Sequence, residues 1–330
     1  MKARAVEFAA PRRVRLVHVD VPEPGPGEMV VRTERSGISG GTEMLAYRGF
    51  LDPEMPLDEA IGALGGTFRF PFRYGYSAVG VVEKSRSSLP EGARVFAFHP
   101  HQDVFVAGTD DVVPLNHIGA RVGTLLPLAE TALQISLDVD LPAGEHVAVV
   151  GLGPVGALAA ALLARDGGVV VGADPLPWRR DAAAKLGVEA VDPGALPARV
   201  AEATGGRGVP VVVEASGNPD VLAAALPLLA HEGVAWVAGW YGTRPVSLPL
   251  GAEFHRRRLV IRSTQVSSIP RRLAGEWDRP RRRAAARALL EELPVGALAT
   301  HEFPFEEAAR AYRAIDRSEV GLVHASLVYG

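Results

Sequence analysis

The stretch Val147–Asp174, VAVVGLGPVGALAAALLARDGGVVVGAD, decides the fold. It opens with a continuous apolar run of the kind that fills a parallel sheet covered on both faces. Gly151, Gly153 and Gly156 follow directly at G-x-G-x-x-G spacing and open an alanine-rich helix through Pro154 and Val155. In such a turn the first glycine permits the tight bend, the second lets a pyrophosphate approach the backbone, and the third lets the helix pack on the sheet. The free N–H groups and the positive end of the helix dipole then face the phosphates. A second apolar run ends at Asp174, where a carboxylate accepts hydrogen bonds from an adenosine ribose diol. Its charge opposes a 2′-phosphate, which favours NAD(H) over NADP(H). Arg179 and Arg180 lie close behind and would soften that repulsion, or they are the solvated start of a helix. The alternative for the whole stretch is a packing turn that holds no ligand.

Working outward, the texture on either side differs. From about Leu125 onward, AETALQISLDV reads as a helix. The strands HVAVVG, VVVGAD, VPVVVEASG, VAWVAG and LVIRSTQ alternate with helices at 154–165, 179–186, 196–203 and 219–229. That alternation predicts a doubly wound parallel sheet. Before Leu125 the chain is β-rich, with strand-like runs at 14–19, 29–35, 77–82, 94–98 and 104–107, cut by Pro- and Gly-rich turns. Residues 49–76 form a long irregular segment, either a surface loop near a site or a connection. The chain ends with a helix at 280–292, the run THEFPFEEAARAYRAID and a final strand, GLVHASLVY.

The totals limit the possibilities. The 330 residues suffice for two domains, and 48% hydrophobic with 22% charged residues is an ordinary globular balance. A net charge of −3 argues against nucleic acid or an anionic membrane as the main partner. There is no long apolar run and no signal peptide, so a cytoplasmic protein is expected. The absence of cysteine excludes disulfides, thiol nucleophiles and thiolate zinc sites. Scarce Asn and Gln and absent Cys fit a heat-adapted protein, although a GC-rich genome would give a similar bias. The arginine clusters 256–258, 271–272 and 281–283 suggest anion binding but read better as solvated helix faces and ion pairs, with a cofactor or substrate phosphate contact left open at Arg271 and Arg272.

Taken together, SGISGGTE (36–43), GYSAVGVVE (75–83), EGARVFAF (91–98), VAVVGLGPVG (147–156), VVVEASGNPDVL (211–222) and THEFPFEEAARAY (300–312) resemble the medium-chain dehydrogenase/reductase (alcohol dehydrogenase) superfamily over essentially the whole chain. Within it, SGIS-x-GTE, YGY, PHQ and AETAL resemble the branch labelled bacteriochlorophyllide 2-desacetyl-2-hydroxyethyl dehydrogenase-like, which is a branch label and not a substrate. The resemblance implies an α/β protein with a GroES-like β-rich catalytic domain at 1–127 and 265–330. A Rossmann domain at 128–264 would lie between these segments, with the substrate cleft between the domains. The departures are informative. Where zinc members carry a catalytic cysteine, this chain has Ser39 and Gly40 before Gly41-Thr42-Glu43. Where they carry Gly-His-Glu, it has Gly75-Tyr76-Ser77, and Leu126 falls at the third ligand position. The structural-zinc lobe is replaced by HPHQDVFV, so no zinc is expected.

Without a metal, a side chain must handle the hydroxyl proton when hydride moves to or from nicotinamide. Thr42 matches the superfamily hydroxyl that relays the proton, and Tyr76 stands at the lost histidine ligand. His99 matches a substrate-pocket position, and His101 shares its side if the strand continues. The candidate catalytic set is therefore Thr42, Tyr76, His99 and His101. The cofactor set is Gly151, Gly153, Pro154, Val155, Gly156, Asp174, Arg179 and Ser216, with Glu130 and Thr131 falling by analogy near the nicotinamide. Each has a plainer reading: Tyr76 as filler, the histidines as loop residues, Glu130 as a helix cap or ion pair. Glu43 is expected to have a structural hydrogen-bonding role. An H-x-H pair with Glu43 or Glu130 is also a conceivable metal ligand set. The expected activity is zinc-independent, NAD(H)-dependent interconversion of a secondary alcohol and a ketone. The rivals are an NADPH-dependent enoyl or quinone reductase and a noncatalytic NAD-binding sensor or scaffold. By resemblance the partner is a second copy of the chain, paired through the Rossmann sheet edge, alongside a small-molecule substrate.

Overall fold

The computed structural model describes residues 1–330. The chain forms two compact units: one of Met1–Pro127, Leu290–Glu292 and Ala299–Gly330, the other of Leu128–Leu289 and Leu293–Leu298. No helix is long and apolar enough to cross a membrane.

The first unit is mostly antiparallel. Lys2–Ala10 pairs with Arg13–Asp20 on one side and Phe72–Arg73 on the other, making a three-stranded sheet. A seven-stranded sheet is centred on the long strand Glu28–Ile38. That strand pairs with Ala78–Ser85, with Val104–Gly108 and with the C-terminal strand His324–Val328. The outer strands are Arg94–Ala97, Val112–Pro114 and Ala299–Pro304. Only 6% of the chain is aromatic, yet rings concentrate in this core. Phe8 stacks on Phe72 at 5.1 Å, and Tyr312 stands edge-on to Phe8 and stacks on Tyr47, both at 5.3 Å. Such pairs add about 0.5–1.5 kcal/mol each beyond their buried area. They fasten a helix the sequence reading did not find, Thr42–Arg48, which buries Met44, Leu45, Ala46 and Tyr47. It ends at Gly49, whose φ of 73° suits glycine best.

The second unit is a six-stranded parallel sheet. In chain order its strands are His146–Val150, Val169–Ala173, Glu189–Val191, Val209–Glu214, Leu229–Val237 and Val260–Ser263. In space they run third, second, first, fourth, fifth, sixth. This is the Rossmann order, in which ligands bind where the connections change direction, outside the carboxyl ends of the first and fourth strands. The helices Pro154–Arg165, Pro177–Ala184, Leu196–Thr204 and Pro219–Ala225 each carry proline in the first turn. There the missing N–H costs nothing and the fixed φ is already helical.

Residues 265–289, assigned from the sequence to the returning part of the first domain, cluster with this second unit. Arg282, on the helix Arg279–Glu292, ties this stretch to the second unit. It is 2% exposed, not on a solvated face. Its Nε donates to Glu130 at 3.1 Å, and its other N–H groups reach Gln134 and the carbonyl of Val266.

Candidate active site

The glycine turn sits at the switch point of the parallel sheet. Gly151 has φ of +95°, and a Cβ there would lie 2.5 Å from the backbone nitrogen of Ser216, at the end of the fourth strand. A Cβ on Gly156 would lie 1.9 Å from the carbonyl oxygen of Gly151. Both glycines are forced by packing. Gly153 is different, because a Cβ there would meet nothing within 4 Å. It forms the N-cap of the helix Pro154–Arg165, whose N-terminus has no side-chain cap. Gly153, Pro154 and Val155 are half-buried and form the open rim of the turn, while Gly151 and Gly156 are buried. The result is an uncapped helix N-terminus with space before it, which is what a phosphate group requires.

Asp174 lies beneath this turn and is 1% exposed. Its carboxylate accepts the N–H of Leu152 at 2.9 Å and that of Leu176 at 2.9 Å. It therefore fastens the glycine turn to the second strand. Arg179 stands 3.4 Å from the same carboxylate, and Arg180 donates to the Asp174 carbonyl at 2.7 Å. Neither is the freely solvated helix start considered above. Ser216 uses its N–H and its hydroxyl on the Glu214 carboxylate, and its oxygen accepts from the Asn218 N–H at 3.0 Å. Glu214 is fully buried, and its other oxygen accepts the Tyr241 hydroxyl at 2.6 Å. Burial and this carboxylate push the Tyr241 phenol far up. Glu214 and Tyr241 lie outside the residues expected from the sequence; their one signal there is an acid closing an otherwise apolar strand.

Glu130, expected near a nicotinamide, is 3% exposed and held by Arg282, with Arg283 at 3.8 Å. Its observed role is a buried ion pair between two helices. Thr131 is half-buried beside it.

In the first unit, Tyr76 and Thr42 come together as a pair. The Tyr76 phenol is pushed up to about 12 by burial and by the nearby Glu43 carboxylate, while hydrogen bonds with Ser39 and Thr42 pull the other way. Ser39, Thr42 and Tyr76 thus make a cluster of neutral hydroxyls. His99 lies apart from it in the contacts it makes: its ring stacks on Phe105 at 4.0 Å, and its Nδ1 is 3.0 Å from the Pro100 carbonyl. That contact fixes Nδ1 as the protonated nitrogen. Burial pulls the imidazole down to about 4, so it is neutral near pH 7.

His101 does not share His99's surroundings. The strand ends at Ala97, so the alternation that would put both rings on one side does not reach residue 101. His101 is fully buried, with Nδ1 2.7 Å from the Ser36 hydroxyl and Nε2 2.8 Å from Glu43. Gly75, with φ of +109°, makes room for the ring, since a Cβ there would lie 2.6 Å from it. Glu43 also accepts the Ser39 N–H at 2.8 Å and the Tyr312 hydroxyl at 2.6 Å. His101 is a fully buried core residue with both ring nitrogens engaged, and Glu43 makes the structural hydrogen bonds expected of it. The two satisfy each other directly, and no group of three His, Asp or Glu side chains converges on a metal position.

The chain matches known proteins in sequence and in fold. Residues 154–279 match the zinc-binding dehydrogenase family. The chain is 30% identical to 2-desacetyl-2-hydroxyethyl bacteriochlorophyllide A dehydrogenase of Cereibacter sphaeroides, covering 94% of each chain. The chain belongs to the medium-chain dehydrogenase/reductase superfamily, an oxidoreductase family. Two solved structures share its fold across 99% of each chain: an Escherichia coli alcohol dehydrogenase complexed with NADH (16% identity, TM-score 0.78) and a Sinorhizobium meliloti zinc-binding-type dehydrogenase bound to NADP (18%, 0.76).

Proposed function

We propose that the chain is an NAD(H)-dependent oxidoreductase that interconverts a secondary alcohol and a ketone without catalytic zinc. The carrying observation is the uncapped helix N-terminus at the sheet's switch point, with open space in front of Gly153. Gly153, Pro154 and Val155 would hold the pyrophosphate there. When bound, the nicotinamide supplies or accepts the hydride. The buried negative charge of Asp174, met by Arg179 only at 3.4 Å, supports NAD(H) over NADP(H).

Zinc does not suit the residues at the superfamily's ligand positions. Ser39 and Tyr76 offer neutral hydroxyls, the second with its phenol pushed up to about 12, and Leu126 offers no donor. Zinc takes thiolate, imidazole or carboxylate. The hydroxyl cluster suits proton handling instead. A neutral Tyr76 donates its proton to the carbonyl oxygen as the ketone is reduced, and Thr42 and Ser39 stabilise the phenolate left behind. In the oxidative direction the proton returns by the same route. A homodimer through the sheet edge formed by Val260–Ser263 belongs to the same reading.

The test is a fluorescence titration of chelator-treated protein with NADH and NADPH, followed by turnover of secondary alcohols and ketones. Tighter NADH binding with turnover is expected. Preference for NADPH, or activity only after zinc is added, would overturn the reading. Tyr76→Phe should fold normally and lose about 10²-fold or more in kcat, with a smaller change in KM.

A further inference from the structure

The irregular segment that the sequence reading left open between site loop and connection walls a cavity of about 410 Å³ within the first unit. The size falls in the range of small-molecule pockets. Its walls are not loose, because Leu57, Leu64, Phe68 and Phe72 of this segment are all buried in the core. Thr67, Arg69 and Arg73 line the cavity from the segment, and His99 lines it from outside the segment.

The charge balance inside is uneven. No carboxylate lines the cavity. Arg69 is neutralised by an ion pair with Glu54. Arg73 has no carboxylate partner, because Glu7, opposite it in the strand register, is occupied by Arg15 at 2.6 Å. Arg73, exposed at the mouth, is therefore the one lining guanidinium without a carboxylate partner. Beside it, His99 has Nδ1 committed to the Pro100 carbonyl, so its Nε2 is left as a hydrogen-bond acceptor. A guanidinium fork matches a carboxylate, and a bare imidazole nitrogen matches a hydroxyl that donates to it.

We propose that the cavity binds the carboxylate end of the substrate, with Arg73 as the charged anchor, so that the secondary alcohol or ketone is a hydroxy or keto monocarboxylate. One free positive charge favours a single negative charge over a doubly charged phosphate ester. The substrate assignment rests on the function proposed above; the anion site does not.

Two measurements test it. Calorimetric titration of cofactor-free protein with levulinate, pyruvate and their methyl esters reads the site directly. The acids should bind more tightly than their esters, and Arg73→Ala should lower the acid-over-ester preference about ten- to a hundredfold, with partial recovery in Arg73→Lys. Steady-state reduction of the same pairs with NADH should show the same collapse in their KM ratio. Equal binding of acid and ester, a preference untouched by Arg73→Ala, or tighter binding of inorganic phosphate than of either acid would overturn the proposal. Arg73-dependent binding with no turnover of any acid, ester or neutral ketone would leave the anion site standing and sink the secondary-alcohol/ketone reading. Turnover of neutral ketones without such binding would do the reverse.

Discussion

Replacing Arg282 with methionine tests whether the Glu130 region is a scaffold or a cofactor surface. Methionine keeps much of the apolar stem but removes every N–H donor. Glu130 would be left buried without its 3.1 Å partner, and the acceptors on Gln134 and Val266 would lose theirs. Breaking one side of a buried ion pair costs about 3–5 kcal/mol. Arg283, 3.8 Å from Glu130, partly compensates and favours the lower end, about 3 kcal/mol. For a unit of this size each kcal/mol lowers Tm by about 2–4 °C, so a fall of about 6–12 °C is expected. The assay is convenient: Trp178, Trp236, Trp240 and Trp277 are the four tryptophans, and all lie in the second unit. Their fluorescence follows that unit's unfolding without interference. Arg282→Met with Glu130→Leu should recover more than half of the loss, because no charge is then stranded. NADH affinity, measured well below the transition, should change by less than about threefold, since about 0.6 kcal/mol is what an indirect effect would give. A loss under 1 kcal/mol, or a collapse of NADH binding in an otherwise stable protein, would refute the reasoning.

Three further predictions follow from the geometry. Gly153→Ala should leave stability unchanged but weaken NADH binding tenfold or more, while Gly151→Ala and Gly156→Ala should destabilise the fold, as paired melting and titration experiments would show. His324 is 3% exposed, and burial pulls its imidazole from 6.5 to about 4. The unfolded chain therefore binds a proton between those values that the folded chain refuses, so stability falls as pH drops through that window, by up to about 3 kcal/mol. Urea titrations from pH 7 to pH 4 should show the fall, and His324→Gln should shallow it. Glu43→Leu would strand the Ser39 N–H, the Tyr312 hydroxyl and His101, costing about 3 kcal/mol or more in denaturant unfolding, whereas Glu43→Gln should cost less.

What could be read from the sequence followed the range of the forces involved. The helix at 154–165 has the bounds expected from the residues, because its start is set locally by glycines and proline and its apolar strand neighbours are unmistakable. The helix Thr42–Arg48 was hidden by the glycines around it; its stability comes from burying Met44 to Tyr47 against distant aromatic residues. The strands Glu189–Val191 and Val112–Pro114 are too short to carry a period. At the site, the superfamily resemblance put Thr42 and Tyr76 in one candidate set, but the fate of each charge depended on partners far along the chain. Arg282 looked like one of a solvated cluster, yet its carboxylate lies 152 positions away. His101 looked like a companion of His99 until the strand stopped short and the ring turned toward Glu43.

The seven-stranded sheet also dictates an order of events during synthesis. Its centre, Glu28–Ile38, is made early, but its partner His324–Val328 emerges last, and the Ser36 and Tyr329 hydroxyls that meet at 2.8 Å are 293 positions apart. The second unit is nearly contiguous and can fold while that partner is still being translated. For many seconds at ordinary elongation rates, the first unit must persist with the Arg35–Ile38 end of its central strand unpaired on one side, the Glu28–Arg32 end being covered by Val104–Gly108. An open strand edge of that kind is a template for pairing with another chain. The nascent protein is therefore most prone to aggregate just before residues 299–328 arrive, and slowing translation there should lower soluble yield more than slowing it anywhere in the second unit.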